Sequence, residues 1–74
     1  MIQISNSSNI KAVGYNPMKN DMTVEFKSGK TYRYSPCHEE MWNELSEVIQ
    51  SGKSVGEWVN KNLVRNEKLK VARI

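Results

Sequence analysis

Cys37 and His38 are the only cysteine and the only histidine in the chain, and they stand side by side. A Cys–His nucleophile pair draws its members from distant segments that converge in space. Neighbours on a helix diverge by about 100° and do not easily share the required hydrogen bond. The two therefore read as a surface pair, and two donors without partners make no metal site. Gly52-Lys53-Ser54 resembles the end of a phosphate-binding loop, but the glycine needed five residues earlier is Glu47. A helix rather than a strand also precedes it. Glu40, Glu44 and Glu47 share one helix face with no His or Asp beside them and read as solvated charge. No set of nucleophile, base and orienting group can be assembled. The chain is expected to be no enzyme, with no catalytic residue, no metal and no cofactor.

Tyr32-Arg33-Tyr34 is the more informative cluster. In a strand the two rings share one face and Arg33 takes the other. Facing the helices, the tyrosines are core; exposed, either becomes a stacking platform for an unpaired base flanked by cations. The cations are grouped along the chain. Lys11, Lys19, Lys27, Lys30 and Arg33 precede Cys37, with Asp21 and Glu25 among them. Residues 38–50 carry Glu39, Glu40, Glu44 and Glu47 and no Lys or Arg. Lys53, Lys61, Arg65, Lys68, Lys70 and Arg73 follow, with Glu57 and Glu67. An acidic block between two basic ones, with a net charge of +3, permits contact with phosphate backbones without demanding it.

The elements that position these groups follow from pattern. Residues 10–15 read as a strand and 16–21 as a turn rich in Asn, Pro and Asp. Met22, Val24 and Phe26 alternate with Thr23, Glu25 and Lys27 in a second strand. Ser28-Gly29 is a tight reversal into a third strand over residues 30–35. The period then changes. Ser35 can cap a helix, Pro36 suits its first position, and Glu39 and Glu40 complement the positive end of its dipole. Met41, Trp42, Leu45, Val48 and Ile49 form one apolar stripe up to about residue 50. Gly52 suits the left-handed position that ends such a helix. Ser54 and Glu57 have capping-box spacing and open a second helix over 54–63, with Val55, Trp58, Val59 and Leu63 as its buried side. The tail from Leu69 reads as an extra C-terminal strand or an extended arm. The expected class is α+β: a three-stranded antiparallel meander followed by two short helices packed on one face.

Seventy-four residues with 38% hydrophobic and 26% charged content suit a single small globular domain. Its core is expected over about residues 7–65, with a loosely held N-terminal leader and C-terminal tail. Folding at this length hides only about 60% of the surface the chain would otherwise expose. A secreted chain of this size usually needs disulfides, so a reducing, cytoplasmic setting is expected. The start shows no basic and apolar signal pattern, and no apolar run reaches the roughly 20 residues that cross a bilayer.

Ser8-Asn9-Ile10, Val13-Gly14-Tyr15, Val24-Glu25-Phe26, Ser28-Gly29, Tyr32-Arg33-Tyr34 and the run Ser54-Val55-Gly56-Glu57-Trp58-Val59-Asn60-Lys61-Asn62-Leu63 together resemble the KTSC domain. That domain is found at the C-terminus of some lysyl-tRNA synthetases and as stand-alone bacterial or phage proteins. The resemblance covers roughly residues 7–65 and implies an RNA-binding role with no established catalysis. The expected contacts are Lys11, Lys27, Arg33, Lys61 and Arg65 on phosphates, with Tyr32 or Tyr34 stacking a base. A protein partner is the alternative, met by the acidic helix near Trp42 or by the free edge of the sheet.

Overall fold

Each strand of the sheet lies beside its neighbour in sequence. In a computed structural model that describes residues 1–74, β1 (Ile2–Gln3), β2 (Ile10–Asn16), β3 (Asp21–Phe26), β4 (Thr31–Ser35) and β5 (Lys70–Arg73) form one antiparallel sheet in the order β1-β2-β3-β4-β5. Between β4 and β5 the chain makes α1 (Glu39–Ser51), α2 (Val55–Val59) and a π-helical turn (Asn60–Val64). Alternation places Val13, Met22, Val24 and Tyr34 on one sheet face, where they meet Leu45, Val55, Val59 and Leu63 in a single core. The class is α+β, with two helices and a five-stranded antiparallel sheet built around the expected meander.

Several boundaries depart from expectation, each because a tertiary contact outweighs local preference. The leader is part of the fold: Ile2–Gln3 pairs with β2, Ile4 enters the core, and the buried Ser7 hydroxyl accepts the N–H groups of Asn9 and Ile10 at 3.3 and 3.1 Å. The tail, read as a strand or an arm, is a strand. Ser35 and Pro36 do not start α1, because Ser35 is paired with Lys70 in the sheet and the Cys37 N–H is bonded to Asn20 O at 2.6 Å. That tether keeps the chain extended to His38, which is the N-cap. Cys37 is likewise no surface residue: it is 0% exposed, and its thiol donates to Tyr34 O at 3.4 Å.

The end of α1 and the start of α2 fall where the sequence places them. Gly52 adopts φ 76°, and Lys53 N–H reaches back to Val48 O at 3.1 Å, closing α1. Ser54 Oγ accepts the Glu57 N–H at 3.2 Å, one half of the capping box. The second helix is not uniform, since its last turn widens to π geometry over Asn60–Val64. Asn62 Nδ2 donates to Trp58 O at 3.0 Å there, occupying a carbonyl at the junction. No helix is long and apolar enough to cross a membrane.

Candidate functional site

The sheet presents two unlike sides, and the candidate residues divide between them. On the side away from the helices, Gly14, Thr23, Arg33 and Ala72 form one cross-strand row, with Ala12, Glu25 and Thr31 beside it. Both ion pairs of the molecule lie here. Lys11 Nζ is 3.6 Å from Glu25 Oε2, and Arg33 Nε is 3.5 Å from Asp21 Oδ2. Asp21 is 6% exposed, so Arg33 serves a buried carboxylate that would be costly to leave alone. Two of the expected phosphate contacts are thus already engaged within the fold.

On the helix side, the two tyrosines have different surroundings. Tyr34 is 4% exposed and belongs to the core, where burial, and secondarily Tyr32, pushes its phenol above the ordinary value. Its ring is not free to stack a base. Tyr32 is half-buried and meets Phe26 edge-to-face at 5.9 Å between ring centroids. Both rings border an open groove of about 600 Å³ between β4–β5 and the π turn, lined also by Leu63, Val64, Leu69 and Val71.

Phe26 joins this groove to two more depressions. One, of about 600 Å³, lies between Asn6–Asn9 and α2 and is lined by Ser8, Asn9, Ser54 and Asn60. The other, of about 260 Å³, includes Lys27 and Ser28. Asn60 and Val64 border both larger spaces. Three separate hollows thus share Phe26 as a common wall, an interrupted channel that is apolar in one hollow and rich in hydroxyls and amides in the next. Lys61 and Arg65 are exposed on the turn that presents Asn60 and Val64, and Lys27 is exposed where β3 ends. None of these three cations is in an ion pair.

The family model described as KTSC domain matches residues 6–66. The chain belongs to the KTSC domain family. Among solved structures, a crystal structure of a KTSC domain protein from Yersinia pestis matches with a TM-score of 0.71. It is 23% identical, and the match covers 100% of this chain and 96% of that one. At that identity the likeness speaks for the fold alone. A comparison with curated proteins finds no match. In this KTSC domain, most of the segments that carried the resemblance line these hollows: Ser8 and Asn9, Phe26, Ser28, Tyr32, the N-cap Ser54, Gly56 and Glu57 of α2, and Asn60 of the π turn.

Tyr32 therefore lines the apolar hollow and Lys27 the smallest one, while Lys61 and Arg65 are exposed on the adjoining turn without lining any of the three. Lys11 and Arg33 lie on the opposite face, and Tyr34 lies in the core. Phe26 and Asn60 are channel residues that pattern reading assigned no role. Alternation correctly puts Phe26 on the core face with Met22 and Val24. Its place at the last position of β3, next to a turn, was the available sign that the ring would reach the surface.

His38 is exposed at the N-cap of α1, and burial pushes the neighbouring Cys37 thiol upward, opposing a reactive thiolate. No group of three His, Cys, Asp or Glu side chains is placed to hold a metal ion. At the far end of the sheet, Tyr15 and Trp42 stack at 5.8 Å with 12° between planes. Trp42 is thereby taken up in packing, beside the exposed glutamates of α1.

Proposed function

We propose that this KTSC domain is a non-catalytic, cytoplasmic binding module that takes single-stranded RNA along the helix-side channel. The observation that carries the reading is the Tyr32–Phe26 pair at a groove whose one charged lining residue is Glu67, with the unpaired cations Lys27, Lys61 and Arg65 exposed on the segments that adjoin it. Single strands are held by rings on which bases stack and by cations that follow the backbone. In this reading Tyr32 offers its open edge to a base, Lys61 and Arg65 meet phosphates on one side, and Lys27 meets them at the other end. Hydroxyls and amides of Ser8, Asn9 and Asn60 suit the 2′-hydroxyl and base edges. Lys11, Arg33 and Tyr34 have no part in it.

Titration of mixed-sequence RNA at about 50 and 200 mM salt tests the reading. Affinity should fall with salt along a log–log slope of about −0.7 per phosphate contact. The double variant Lys61→Glu and Arg65→Glu should abolish binding while leaving the melting temperature nearly unchanged. Reversing Glu44 and Glu47 to Lys should leave binding intact or strengthen it. A protein partner on the acidic face of α1 predicts the opposite pattern. Absence of measurable binding at the lower salt would end the RNA reading.

A further inference from the structure

The two edges of the sheet differ. β1 is two residues long, a blunt edge, whereas β5 is four residues long and exposed at every position. Ile74 N–H donates to Thr31 O at 2.9 Å, which fixes the alternation of the β4–β5 ladder. Residues 74, 72 and 70 face β4 with their main-chain groups, so the N–H and C=O groups of Val71 and Arg73 point away from it. Nothing in the fold covers them. Val71 lies opposite Tyr34 and Arg73 opposite Tyr32, on the groove side of the sheet, while Lys70 lies opposite Ser35 on the other side. Val71 is 56% exposed and lines the apolar end of the groove with Leu69 and Leu63. Lys68, Lys70 and Arg73 make the edge basic, and none of them is in an ion pair.

We propose that β5 is a docking edge for an extended acidic peptide segment of a partner protein, which adds a sixth strand to the sheet. The open groups of Val71 and Arg73 supply main-chain hydrogen bonds. Alternate side chains of the incoming strand supply selectivity, an apolar one beside Val71 over the groove and acidic ones facing Lys70 and Arg73. Charges on an edge strand usually discourage pairing with a like edge. Here they do so against a second copy, which brings the same cations to the seam, and they favour an acidic strand. The cations of the RNA reading, Lys27, Lys61 and Arg65, take no part in this inference, although its apolar contact at Val71 borders the same groove.

The test is amide exchange with a short end-blocked peptide containing the order Glu-Thr-Val-Glu, which in an antiparallel sixth strand sets Val beside Val71 and Glu beside both Arg73 and Lys70. In the free protein Ala72 and Ile74 should exchange slowly, and Val71 and Arg73 fast. With peptide, Val71 and Arg73 should slow as well. Val71→Pro removes an outward N–H without touching the ladder to β4, and should weaken the peptide by about tenfold, the upper net worth of one hydrogen bond. Reversing Lys70 and Arg73 to Glu should weaken it further, and does so even if the proline variant proves unstable. Three outcomes overturn the proposal: no peptide binding at low salt, binding that leaves Val71 and Arg73 exchanging fast, or slowing of both amides by self-association in the free protein. Binding of oligouridine lost on reversal of Lys70 and Arg73, with no peptide binding, would assign the edge to RNA instead.

Discussion

Ser7 and Ser54 use the same group, a hydroxyl oxygen accepting main-chain N–H bonds, in opposite surroundings. Ser54 is exposed, so water can replace its bond to Glu57. Ser7 is 9% exposed, and the Ile10 N–H that it accepts is buried with it. Ser54→Ala should cost about 1 kcal/mol, the usual worth of an N-cap. Ser7→Ala should cost more, roughly 1–3 kcal/mol, because it strands a buried donor. Urea denaturation of both variants checks the order, and equal losses would place Ser7 in contact with water. Cys37 and Tyr34 set a pH limit at the same scale. Burial raises both above their ordinary values of 9.0 and 10.0, so the unfolded chain gives up these protons first as pH rises. Stability from this source is full below the ordinary thiol value and falls as pH climbs through and beyond it. Urea midpoints across alkaline pH should show that decline, and Cys37→Ala should remove its earlier part.

At the scale of elements, how α1 ends matters more than how it begins. His38 contributes no side-chain bond at the N-terminus, while Gly52 takes a conformation that costs an L side chain dearly. Gly52→Ala should lower stability by about 1 kcal/mol, read as a lower melting temperature with α-helical content retained. Signals that act within a few residues were legible in the sequence: Gly52, Ser54, the alternation of Met22, Val24 and Phe26, and the stripe from Met41 to Ile49. Features decided by distant partners were not. Ile2–Gln3 is too short to show a period, and the start of α1 is set by Asn20 and Lys70. Nothing periodic marks the widening at Asn60. The candidate site was legible by half for the same reason: strand parity puts Tyr32 and Tyr34 on one face but cannot tell which ring the helices cover.

At the scale of the molecule, the charge blocks of the sequence become separate regions. The cations of the sheet's outer face, Lys11 and Arg33, are spent on Glu25 and Asp21, whereas those from Lys53 onward are unpaired. The C-terminal third therefore retains an uncompensated positive field, which the proposed RNA would meet first. Association with RNA should accordingly slow with added salt more than dissociation quickens, a split that stopped-flow mixing resolves.

The sequential strand order also governs how the domain folds. β2, β3 and β4 are joined by short turns, so their pairing closes small loops and is entropically cheap. β5 must wait for a partner from which residues 36–69 separate it. Its contacts are then late ones, absent from the barrier that folding crosses. Leu69→Ala, which loosens the approach to β5, should quicken unfolding while leaving the refolding rate nearly unchanged. The edge that stays open to a partner is thus also the last piece of the sheet to form and the first to let go.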